Sequence, residues 1–155
     1  VSEDFCPTCE TRKHKARVVQ ILTLFVVELL KRANEHDSTK LESPEREKFE
    51  ANTEKLNAMT FGTPEYEQQK VEALGDALAH HYARNRHHPE HFENGIDDMN
   101  LIDLVEFLAD CKAASERHND GNIMKSIEEL AEKKGISAQL KKILKNTVVA
   151  FSLKE

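Results

Sequence analysis

Between Val18 and Leu30 the only polar side chains are Gln20, Thr23 and Glu28. At about 100° per residue the apolar side chains of this run point to nearly every side of a helix. A helix that is apolar all round is ordinarily buried at the centre of a fold. The pattern therefore predicts a helix from Thr11 to about Asn34, with Val18 to Leu30 at the core of a helical domain. The run falls short of the roughly 18 to 20 apolar residues that cross a bilayer. No signal-peptide pattern precedes it, so no membrane is expected.

The remaining chain repeats the helical signal. Ser43, Pro44 and Glu45 read as cap, first-turn proline and first-turn acid of a helix to about Asn57. Thr63, Pro64 and Glu65 open another helix, to about His87, which Pro89 must stop. Pro89 to Asp98 reads as a loop. Asn100 caps a helix from Leu101 to about Arg117, broken by Asn119, Asp120 and Gly121. Two more follow, over 122–133 and, capped by Ser137, over 138–151. No stretch alternates at period two. The expected fold is all-α, a single-domain bundle of six or so helices over residues 11–155, with residues 1–10 as an irregular tail.

A net charge of −6 argues against a general nucleic-acid or anionic-membrane partner, because neutralising phosphates takes a concentrated basic surface. Lys141, Lys142 and Lys145 are read as a solvated face. Cys6, Cys9 and Cys111 do not make a disulfide framework, so a reducing cytoplasm is the expected setting, a host's if the chain is phage-encoded. Cys6, Cys9 and His14 offer half of a zinc knuckle, but the second ligand pair is absent from the sequence. The sequence leaves homo-oligomerisation open.

Three polar clusters carry ligand chemistry. His36 and Asp37 pair an imidazole with a carboxylate, suitable ligands for a divalent transition metal. His80, His81, His87, His88 and His91 crowd one segment. If the helix persists to its last turn, His81, Asn85 and His88 share one stripe, and His80, Arg84 and His87 a neighbouring one. Imidazoles facing a core need hydrogen-bond partners, so ligation is the favoured use of this segment. Asp103, Glu106 and Asp110 share a helix face, continued by Arg117, where carboxylates repel unless a cation sits among them.

The residues His14-Lys15-Ala16-Arg17-Val18, His36-Asp37 with Lys40, Asn85-Arg86-His87-His88-Pro89-Glu90 and Ala109-Asp110 resemble a family of uncharacterised proteins found in phages and bacteria. More distantly, the order His, His-Asp, Asp resembles the HD superfamily of metal-dependent phosphohydrolases, which are all-helical and hydrolyse nucleotide phosphate esters. That resemblance implies an HD-domain-like bundle with His14, His36, Asp37 and Asp110 as metal ligands, joined by His81 and His88. It implies a divalent metal (Mn, Fe, Mg or Zn) and a small-molecule phosphate substrate. Asp37 and Glu106 are the expected catalytic groups, Glu106 as proton shuttle or as orienter of a ligating histidine. Lys40, Arg84, Asn85 and Arg117 are the expected substrate-binding groups. HD proteins break the chain between their first histidine and the His-Asp pair, yet no Gly or Pro occurs from Thr11 through Ser43. On one straight helix His14 and His36 would stand about 33 Å apart at roughly 1.5 Å per residue. A di-iron oxygenase would use the same ligands, and a non-catalytic module engaging a host factor would need none of them.

Overall fold

A computed structural model describes residues 6–59, 63–117 and 121–153. All regular structure among them is helical: α1 (Pro7–Glu35), α2 (Glu45–Asn57), α3 (Pro64–Leu74), α4 (Asp76–Arg84), α5 (Leu101–Ser115), α6 (Ile123–Lys134) and α7 (Ala138–Ala150). Short 3-10 turns span Ser38–Leu41, Pro89–His91 and Gly95–Asp98. The chain divides into two compact units, the first ending at Glu35 and the second beginning at His36.

The first unit is α1. It starts at Pro7, whose fixed φ and missing N–H suit a first helical turn. Residues 7–10 are therefore helical rather than tail; residues 1–5 of the expected tail lie outside the described residues. Cys6 and Cys9 are joined as a disulfide across the first turn, which the expectation of unpaired cysteines missed. The larger correction concerns burial. No residue of α1 is buried, and Val19, Leu24 and Leu30 are more than 60% exposed. Backbone hydrogen bonds within a helix make it self-sufficient, so apolar composition demands a partner surface without supplying one.

The second unit holds the core. Phe107 and Leu108 of α5, Ile123, Ile127 and Ala131 of α6, and Leu144 and Val148 of α7 pack with Ile96, Met99 and Ile136. Each of these side chains larger than alanine, fully buried, contributes about 1.5–3 kcal/mol, before the cavity cost that a truncation would add. Caps fix the helix starts: Thr63 accepts from Tyr66 N, Asn122 from Lys125 N and Ser137 from Leu140 N. At α5, Asn100 and Asp103 form a reciprocal capping box.

Two boundaries depart from the sequence reading. Pro44, not Ser43, occupies the cap position of α2, and no side-chain cap bond forms there. The helix expected over 64–87 is two helices, broken at Gly75, whose φ of +46° other residues seldom adopt. Its second half stops at Arg84. α5 ends at Ser115, and positions 119 and 120 of the expected break after it lie outside the described residues. No helix among the described residues is long and apolar enough to cross a membrane.

Candidate metal centre

Four segments of the second unit converge. Asp37 follows His36 in a left-handed backbone conformation (φ 55°), a strained geometry that Asp tolerates better than most residues. Glu45 stands in the first turn of α2. His80 and His81 lie on α4, and Glu106 and Asp110, four apart, share a face of α5. Past Arg84 the chain turns. Asn85 donates its side-chain amide to the His81 carbonyl (2.8 Å) and to Thr39 Oγ1 (2.9 Å), closing the end of α4. Pro89 disfavours helical backbone at His88, which is extended at φ −94° and ψ 127°. His87 and His88 thereby fold back onto His81, and the Nε2 atoms of His81 and His88 lie 2.9 Å apart.

Two buried carboxylates stand behind the imidazoles. Glu45, fully buried, accepts from His80 Nδ1 (2.7 Å), His81 Nδ1 (2.8 Å) and the Thr39 hydroxyl (2.8 Å). Glu106 Oε1 accepts from His36 Nδ1 at 2.9 Å and lies 3.0 Å from His87 Nδ1. An Nδ1–H directed at a carboxylate leaves Nε2 as the lone-pair nitrogen, the arrangement typical of a ligating histidine. The freed Nε2 atoms face two further acids. His81 and His87 Nε2 lie 3.3 and 3.5 Å from Asp37 Oδ1, and His36 Nε2 is 3.7 Å from both Asp37 Oδ2 and Asp110 Oδ1.

Ligands bound to one ion at about 2.0–2.2 Å sit roughly 3–3.5 Å from one another. Among the described residues three groups have donor atoms within 4.8 Å of one another, close enough to draw in around one ion: Asp37 with His81, His87 and His88; His36 with His87 and Glu106; and His36 with Asp37 and Asp110. Asp37 Oδ1 and both ring nitrogens of His87 are buried without a hydrogen-bond partner among the described residues. Orphaned atoms of this kind cost about 1–3 kcal/mol each unless something else meets them.

The electrostatics follow the same geometry. His36 is raised to about 9, chiefly by the Asp110 carboxylate beside it, with burial opposing and Glu106 adding to the rise. Burial pushes Asp37 upward, but His87 and Lys40 outweigh it and hold the carboxyl well below the usual range. Burial drives His88 down to about 2, helped by the charges of His87 and His81, and burial also lowers His81. Burial pushes Asp110 upward, but the neighbouring His36 outweighs it and lowers the carboxyl. The centre thus holds ionised acids beside a neutral His81 and His88, the protonation states in which both types ligate, whereas His36 carries a proton that a bound ion would have to displace.

The structure brings together His36, Asp37, His81, His88, Asp110 and Glu106. It assigns other surroundings to the rest. His14 is exposed on α1 and belongs to none of the three groups. Helix runs unbroken from it to Glu35, about 31 Å at 1.5 Å per residue. Asn85 is buried and its amide is engaged by Thr39 and His81, so it positions the end of α4. Lys40 donates to Asp37 Oδ2 at 2.6 Å, with Phe49 beneath its ammonium group. Arg84 and Arg117 are exposed. Asp103, expected on the acidic face, instead takes both guanidinium bonds of Arg86 (3.1 and 3.0 Å) and caps α5. Cys111, raised to about 12 by burial, packs against the core.

Three contributors escaped the sequence reading. His87 was placed on a neighbouring stripe of a helix that stops earlier; the restriction Pro89 imposes on His88 was the available signal. Glu45 read only as a first-turn acid, and Thr39 carried no assigned role. For Glu45 and Thr39 no local pattern announces a partner about forty residues away.

No curated protein and no solved structure matches the chain. One family model does, over residues 4–150, nearly the whole length, and by that match the chain belongs to the family of unknown function DUF5662.

Proposed function

We propose that this chain is a metal-dependent phosphohydrolase acting on a small, nucleotide-like phosphate ester. The observation that carries the metal half of this reading is the pair of orphaned buried atoms, Asp37 Oδ1 and His87 Nε2, 3.5 Å apart with His81 and His88 around them. A mixed imidazole and carboxylate donor set suits Mn²⁺, Fe²⁺ or Zn²⁺ better than Mg²⁺, which prefers oxygen ligands and water. Such an ion supplies a polarised phosphoryl oxygen and a bound water of lowered pKa.

The chain's own residues supply the rest. Glu45 fixes the tautomer of His81 so that its Nε2 stays available, and Glu106 holds in place the ring of His36, whose Nε2 becomes available once a bound ion displaces its proton. Glu106 is thus better placed to orient than to shuttle protons. Lys40 is about one-third exposed, with its ammonium at the edge of the cluster on Asp37, where it can turn to a substrate phosphate as charge develops. The ester preference rests on the HD-like order of His36-Asp37 and Asp110.

The test is phosphate release from nucleotide mono- and diesters by protein loaded separately with Mn²⁺, Fe²⁺, Zn²⁺ and Mg²⁺. Metal-dependent release that Asp37→Asn abolishes is the expected result. Bound metal without release from any ester would overturn the hydrolase reading, and oxygen consumption by the Fe²⁺ form would replace it with an oxygenase.

A further inference from the structure

We propose that α1 is a self-association element and that one apolar face of it is covered by a second copy of this chain, laid antiparallel. Nine large apolar side chains of the helix, from Val18 to Leu30, are between 38% and 65% exposed. Together they leave on the order of 800 Å² of apolar surface in water, about what each partner contributes to a standard-size interface. The largest apolar patch on a typical monomer is about 300–600 Å². A helix of 29 residues, about 43 Å long, offers room for such a contact.

The exposure is not even around the helix. Glu28, Leu29 and Arg32 are half-buried, and Val18 and Ile21 are the least exposed of the nine. On the opposite side runs Ala16, Val19, Thr23, Val26, Leu30 and Ala33, spaced alternately three and four apart, flanked by Leu22 and Val27. That is the spacing of a two-helix seam, with small residues at its ends and middle to admit close approach.

Charge decides the direction. The N-terminal third of α1 carries Arg12, Lys13, Lys15 and Arg17 against Glu10 alone, whereas the last third balances Lys31 and Arg32 with Glu28 and Glu35. Parallel pairing would set two copies of the basic third side by side. Antiparallel pairing sets it beside a segment with two acids and also opposes the helix dipoles. With the seam centred between Thr23 and Val26, Val19 meets Leu30 of the other copy and Ala16 meets Ala33.

Sedimentation equilibrium of the full chain should give twice the chain mass, and Val26→Asp should return it to one with helical circular dichroism retained. Direction is read by oxidative cross-linking with Cys6, Cys9 and Cys111 replaced by serine. Thr23→Cys alone should link near the two-fold axis, and a mixture of Ala16→Cys and Ala33→Cys chains should link to each other. Ala16→Cys alone linking, with no mixed product, would overturn the antiparallel arrangement. A single-chain mass for the wild type would overturn the proposal. It would do so whether the helix is then covered by the rest of its own chain or binds vesicles of anionic phospholipid.

Discussion

The most apolar stretch of this chain and its most histidine-rich one end in opposite places. Val18 to Leu30 contains no buried residue, whereas His81 and His87 are 1% exposed. The difference teaches that burial follows available partners more than composition. His81 has Glu45 behind it and His87 has Glu106, which makes their removal from water tolerable. α1 satisfies its own backbone and leaves its apolar surface waiting for a complement.

If the polar burial rests on mutual satisfaction, the largest effect should come from removing the acid most of the imidazoles face. Asp37→Asn keeps the shape and tolerates the left-handed backbone, but loses the charge that three Nε2 atoms approach. Metal affinity measured by competition with a chelating dye should fall by more than the ~10- to 100-fold typical of losing a hydrogen-bond partner behind a ligand. Next is Glu45→Ala, which strands two imidazole N–H groups and a hydroxyl. It should cost about 3–5 kcal/mol in urea unfolding, as breaking buried charged pairs does. It should also weaken metal binding by ~10- to 100-fold through loss of the His81 orientation.

Asp103→Ala separates structure from site. It should lower stability by about 1–3 kcal/mol through the lost cap and Arg86 pair while bound metal per chain stays the same. Loss of metal in this variant would show that the acid face of α5 acts as a unit.

The acid limb of the metal-free protein offers a smaller, signed effect. An unfolded His88 takes up a proton near 6.5, but the folded one stays neutral to about 2, so stability falls as the pH drops below 6.5. His36 has the opposite sign. It stays protonated in the fold to about 9, so its contribution is full below 6.5 and fades between 6.5 and 9. Melting temperatures with chelator present should therefore peak near pH 6.5, and a rise continuing to pH 9 would contradict this balance. The smallest effect is expected at Cys6 and Cys9: replacing both with serine should leave metal per chain unchanged, since every donor of the centre lies between His36 and Asp110.

Much of the fold was legible because helix signals are local. Thr63-Pro64, Asn100 and Ser137 open the helices they announce. The break at Gly75 was visible as a glycine but not as a positive φ, which depends on how α3 and α4 pack. At the site, His36, Asp37, His81, His88, Glu106 and Asp110 were found by residue type. His81 and His88 do meet, but through a turn and not along one helix face. Glu45 and Asp103 were illegible in use because a first-turn acid looks the same whether it faces water, a cap or two histidines.

The most direct test of the proposed metal centre is metal content per chain, by plasma mass spectrometry after gel filtration, for wild type and Asp37→Asn side by side. The wild type should retain at least one equivalent of Mn, Fe or Zn and the variant little or none. The melting temperature of the wild type should fall when chelator strips it. Wild-type protein that retains no metal after incubation with each ion, and melts identically with chelator, would contradict the proposed centre.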